Sequence, residues 1–120
     1  MLPEKAVTLF HNPACQTSRN VLAMLRERGI QPEIVEYLKT PPSRVRIKEL
    51  IDRSGLTARD FLRTREPLYK ELNLDDANWS EDQLIGFLAE NPSLLNRPVV
   101  ETPKGVRPCR PPETVLDLLE

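Results

Sequence analysis

Cys15 lies between a short apolar run, Ala6-Val7-Thr8-Leu9-Phe10, and a stretch of helical spacing that begins at Thr17 or Ser18. A thiol between a strand end and a helix start faces unpaired backbone N–H groups and the positive end of the helix dipole. Both favour a thiolate, so its pKa is expected to fall below the free value of about 8.5. The same N–H groups suit an oxyanion, so nucleophile and anion cradle coincide. Cys15 read as a small buried hydrophobe is the plainer alternative. His11, Asn12, Ser18 and Arg19 are the candidates for tuning the thiol and shaping the anion loop. His11 and Arg19 would add positive charge, and His11 would otherwise close the strand with a hydrogen bond. Ser18 is either a helix-start residue or a hydroxyl donor to the sulfur. Cys15-Gln16-Thr17-Ser18 has Ser where a dithiol motif has its second Cys, so an oxidised Cys15 needs an outside thiol such as glutathione. Cys109 falls in an apparent strand, opposite in facing to Arg110, and reads as core filler.

These residues must be held by the elements around them. Glu33-Ile34-Val35-Glu36-Tyr37 reads as a second strand after a helix carrying Val21, Leu22, Met24 and Leu25 and stopped at Gly29. That is a βαβ unit with parallel strands. Pro41-Pro42-Ser43 opens a helix with Ile47, Leu50 and Ile51 that ends at Gly55. Thr57 and Asp60 resemble a capping box leading a helix at Phe61-Leu62, and Ser80 and Gln83 form another before Leu84, Ile85, Phe87 and Leu88. Asn91-Pro92 closes that helix. Pro98–Glu101 and Val106–Cys109 flank a hairpin turn at Thr102-Pro103-Lys104-Gly105, and Pro111-Pro112 opens a last helix with Val115, Leu116 and Leu119. The predicted class is α/β, with a mixed four-stranded sheet of thioredoxin-like order. A helical insertion separates the βαβ unit from the C-terminal ββα unit.

Composition excludes several alternatives. A chain of 120 residues fits a single domain, 1–120, able to bury a modest core. A formal net charge of −1 gives no global basic field for nucleic acid. The chain has 2 Cys and 1 His, too few for a disulfide scaffold or an evident zinc site, so no metal is expected. Met1-Leu2-Pro3-Glu4-Lys5 lacks the order of a signal peptide, and no apolar run approaches the roughly 20 residues of a membrane span. A cytoplasmic location, where a free thiol stays reduced, is expected. The 12 Pro fall at element boundaries and punctuate rather than disorder the chain.

At His11-Asn12-Pro13-Ala14-Cys15-Gln16-Thr17-Ser18-Arg19-Asn20 the sequence closely resembles the glutaredoxin-dependent arsenate reductase (ArsC) family. The resemblance continues through Tyr37-Leu38-Lys39-Thr40-Pro41-Pro42, Leu62-Arg63, Tyr69-Lys70-Glu71-Leu72 and Asn96-Arg97-Pro98-Val99-Val100 to Cys109-Arg110-Pro111. It implies a thioredoxin-like (glutaredoxin-like) fold and Cys15 as the residue that attacks arsenic. It also implies Arg63, Arg97 and Arg110 around the oxyanion, and a cis bond before Pro98. Guanidinium forks suit that task, since they pair with tetrahedral oxyanions and stay charged. Family pattern selects Arg63 over the neighbouring Arg59 and Arg65. Glutathione is the implied co-substrate and glutaredoxin the implied partner, with no bound cofactor. Gln16 departs from the Gly usual after the Cys, with narrowing of the anion loop as the expected consequence. The chain also stops at Glu120, so the tail of longer members is expected to be absent.

Two other readings compete. One is a glutathione-dependent thiol reductase acting on another substrate. The other is an Spx-type regulator that binds RNA polymerase without catalysis; many of these carry a Cys-x-x-Cys switch, which Ser18 breaks here. The presence of all three arginines favours the oxyanion enzyme.

Overall fold

The computed structural model describes residues 7–119. The N-terminal stretch read for a leader, Met1 to Lys5, and Ala6 of the first expected strand lie outside the described residues. Two compact units emerge, Met1–Thr40 with Arg97–Glu120, and Pro41–Asn96.

The first unit contains the sheet. Strand β1, Thr8–Phe10, is buried throughout and pairs in parallel with β2, Glu33–Val35. It pairs antiparallel with β3, Val99–Thr102, which turns into β4, Gly105–Pro108. The order is β2-β1-β3-β4, the mixed thioredoxin-like sheet expected. Helix α1, Gln16–Glu27, connects β1 to β2 and buries Val21 and Leu25, one turn apart on one face. Leu9 and Val100, paired across β1 and β3, meet this face. Val7, Ile30, Cys109, Val115 and Leu118 complete the core. The hairpin closes at Gly105, whose φ of 148° is left-handed territory that favours glycine.

Three expectations shift here. The helix begins at Gln16 rather than Thr17, with Cys15 as its N-cap. Tyr37 leaves the strand and sits in a turn closed by the Lys39 and Thr40 amides on the Glu36 carbonyl, at 2.8 and 2.9 Å. The last helix is 3₁₀, Pro112–Leu118, rather than α. Its buried residues, Val115 and Leu118, are three apart, which matches the three residues per turn of that geometry. Leu116, expected to pack, is one of the exposed large apolar side chains.

The second unit is helical. Helix α2, Arg44–Ser54, is capped by the Ser43 hydroxyl, which accepts from the Arg46 amide, and ends at Gly55 with φ 72°. It packs on α4, Glu81–Glu90, whose Ser80–Gln83 capping box is present. The Thr57 amide donates to the Asp60 carboxylate at 2.9 Å, but the element it leads is a single 3₁₀ turn, Ala58–Phe61. The turn stops because Leu62 goes extended and bridges Leu95. Helix α3, Pro67–Glu71, was not expected from the sequence; Pro67 occupies its first turn.

Candidate active site

Cys15 caps α1 with extended backbone, φ −95° and ψ 123°. The preceding loop is folded on itself. The Cys15 amide donates to the Asn12 carbonyl at 3.0 Å, and the Ala14 amide donates to Asn12 Oδ1 at 3.0 Å. The His11 amide donates to the Val35 carbonyl at 2.8 Å, tying the loop to the end of β2. Asn12 therefore shapes the loop.

Burial raises the Cys15 pKa, but this is outweighed. The Ser18 and Thr17 amides and the Arg97 guanidinium act on the sulfur and hold the thiol below its ordinary range. The sulfur makes no conventional side-chain cap, so the effect is that of amides and charge turned toward it rather than of a closed capping bond. Arg110 comes from beyond β4. Its Nη1 lies 4.0 Å from Cys15 Sγ and donates to the Arg97 carbonyl at 3.0 Å. Both Arg97-Pro98 and Arg110-Pro111 are cis, the first as the resemblance implies and the second unforeseen.

The tuning residues need correction. Ser18 does not offer its hydroxyl to the sulfur. The side chain is fully buried, with Oγ 2.6 Å from His11 Nδ1 and accepting from the Asn12 amide at 3.1 Å. His11 is held toward its neutral form. Burial holds its pKa below the ordinary value, with Arg26 and Arg19 adding to this against an opposing pull from Glu36. Its role is to brace Ser18. Arg19 donates to the Pro13 carbonyl at 2.8 Å and to Gln16 Oε1 at 2.7 Å, so it clamps the loop to α1. Gln16 in turn donates to Asn20 Oδ1 at 2.7 Å, which commits its side chain to helix partners. Arg97 and Arg110, not His11 or Arg19, bring positive charge to the thiol.

Cys109 is fully buried, and burial pushes its pKa up to about 12 despite the opposing charge of Arg107. It is core filler, as expected. Arg63 belongs to the second unit. Its amide donates to the Leu94 carbonyl at 2.7 Å, and its guanidinium pairs with Glu66 at 3.3 Å. Arg59 is committed to the Leu74 and Asp76 carbonyls at 2.9 and 2.5 Å. Sequence reasoning missed Tyr37, which is fully buried and interacts with Arg97, Asn12 and Cys15. A strand reading concealed it, since a strand tyrosine needs no special partner.

A lowered thiol, helix-start amides and two arginines arranged on one sulfur can bind an oxyanion and attack its central atom. Among the described residues no group of three or more His, Cys, Asp or Glu is placed to hold a metal ion. No helix among them is long and apolar enough to cross a membrane.

Residues 10–118 match the ArsC family. The chain is 50% identical over 113 residues to an arsenate reductase of Rhizobium meliloti (strain 1021), covering 94% of this chain and 81% of that protein. It is 43% identical over 116 residues to the uncharacterized protein YfgD of Escherichia coli (strain K12), covering 96% and 98%. The solved structure of an arsenate reductase from Vibrio cholerae superposes with a TM-score of 0.90 at 45% identity, over 94% of this chain and 97% of that one.

Proposed function

The chain belongs to the ArsC family, and we propose that it reduces arsenate to arsenite through Cys15. The observation that carries the reading is the convergence of the α1 amides, Arg97 and Arg110 on the Cys15 sulfur. A thiolate there attacks arsenic in a bound arsenate; a sulfur–arsenic bond forms and hydroxide leaves. Arg97 and Arg110 balance the charge on the arsenate oxygens. Arg63 is proposed as the third arginine on the strength of the family pattern.

A glutathione thiolate then attacks the Cys15 sulfur of the adduct. The sulfur–arsenic bond breaks, its electron pair stays on arsenic, and arsenic passes from the +5 to the +3 state. Cys15 is left in a mixed disulfide with glutathione. With Ser18 in place of a second local Cys and Cys109 buried, this chain holds no thiol suited to resolve it. Glutaredoxin is the proposed resolving partner. The cytoplasm, where glutathione keeps thiols reduced, is the proposed location.

The test is arsenite production from arsenate with glutathione and glutaredoxin. Turnover that requires both thiol components is the expected result. A folded protein that gives no arsenite would fail the reading and favour the alternative, a glutathione-dependent thiol reductase with another substrate.

A further inference from the structure

Tyr37 is fully buried although it stands in a turn. Its hydroxyl oxygen and Arg97 Nε are both buried side-chain atoms that close no hydrogen bond of ordinary geometry. The Arg97 guanidinium and the Asn12 side chain nevertheless both act on the Tyr37 hydroxyl, and Tyr37 acts in turn on Arg97. A buried phenol with no bond is a liability that phenylalanine would avoid at almost the same volume. The turn that carries Tyr37 is anchored, since it follows β2, whose last carbonyl accepts from the His11 amide at 2.8 Å. Arg97 is fixed at its other end, where its own carbonyl accepts from Arg110 at 3.0 Å.

We propose that Tyr37 is a positioning residue: its hydroxyl accepts from Arg97 Nε as that guanidinium closes on the sulfur and on a bound oxyanion. Nε is then satisfied from below. The two Nη groups stay free to fork onto the oxyanion, which a planar guanidinium does well only when its plane is set. The inference rests on the reading of Cys15 as a nucleophile toward an oxyanion.

The experiment is a double-mutant cycle read on two quantities: the pH midpoint of Cys15 alkylation, and the kinetics of arsenate reduction. Tyr37→Phe is expected to raise the alkylation midpoint by about half a unit or more, because Arg97 acts less firmly on the thiolate. It is expected to lower kcat/KM for arsenate by about tenfold. In an Arg97→Lys background, which has no Nε–H to position, the Tyr37→Phe effect should vanish. An unchanged midpoint, or the same Tyr37→Phe effect with and without Arg97, would overturn the proposal and leave Tyr37 as packing. A Tyr37→Phe chain that loses its fold overturns it as well, since the hydroxyl would then be structural. A parent protein that makes no arsenite defeats the functional reading alone, because the alkylation cycle needs no turnover and still decides Tyr37.

Discussion

The two thiols of this chain carry the same chemistry in opposite settings. Cys15 is half-buried at a helix start under an arginine, and Cys109 is sealed in the core with its pKa pushed up to about 12. Only the first is drawn toward its thiolate; burial holds the second as a thiol. Cys15→Ser is therefore expected to abolish arsenate reduction, while Cys109→Ser keeps most of it. Arsenite yield from both variants, with folding checked by circular dichroism, decides the matter; equal loss would show that the two act as a pair. Arg97 and Arg110 differ in setting too, since Arg97 is partly buried and Arg110 exposed. Charge alone would tolerate Lys at either place, but a paired hydrogen-bond fork would not. Arg97→Lys or Arg110→Lys should cost at least about tenfold in kcat/KM, about 1.4 kcal/mol of transition-state stabilisation. Steady-state kinetics at varied arsenate checks this.

The element proposed to carry the chemistry is the junction of β1, its loop and α1. The loop keeps its shape because Ser18, from the first turn of α1, reaches back to satisfy the Asn12 amide and the His11 ring. Its side chain serves the loop, while its backbone amide serves Cys15. The two roles separate under mutation. Ser18→Ala leaves a buried amide and ring nitrogen without their partner and should cost about 1–3 kcal/mol of stability. The amide remains, so the alkylation midpoint of Cys15 should move little. Denaturant unfolding, run beside the alkylation profile, tests both halves. A large rise in the midpoint without loss of stability would reverse the assignment and make the hydroxyl the group that tunes the thiol.

For the whole molecule, the expectation of one domain over 1–120 becomes a proposal that the chain unfolds in a single calorimetric transition. The second unit is inserted between β2 and β3 and is joined to the first at Thr40–Pro41 and Asn96–Arg97. The transition should be sensitive to pH through His11. Its folded-state pKa is depressed, so the unfolded chain takes up a proton at a pH where the folded chain does not. Stability from this source is fully present above the unfolded value of about 6.5 and is lost as pH falls through it toward the lower folded pKa. The transition temperature should therefore fall between about pH 7 and pH 5.5, and His11→Gln should flatten that slope. A parent and a variant with the same slope would remove His11 from the account.

Much of this was legible in the residues themselves. The apolar runs, Gly29 and Gly55 as helix stops, and the Ser80–Gln83 box all depend on local backbone preference, and each element they mark is present. Cys15 at a strand–helix junction was legible for the same reason: a helix start offers its amides whatever the rest of the chain does. Local signals failed where a distant partner set the outcome. Thr57 and Asp60 form their box, but pairing of Leu62 with Leu95 ends the element after one turn. Pro112 opens a helix, but two core contacts three residues apart draw it to 3₁₀. At the site, proximity in sequence pointed to His11 and Arg19 as the charges on the thiol. The fold gives that place to Arg97, 82 residues further along the chain (97 − 15), because β3 lies beside β1 in the sheet. Burial and charge at a thiol are set by whatever the folded chain brings within a few ångströms, and sequence spacing carries no record of that distance.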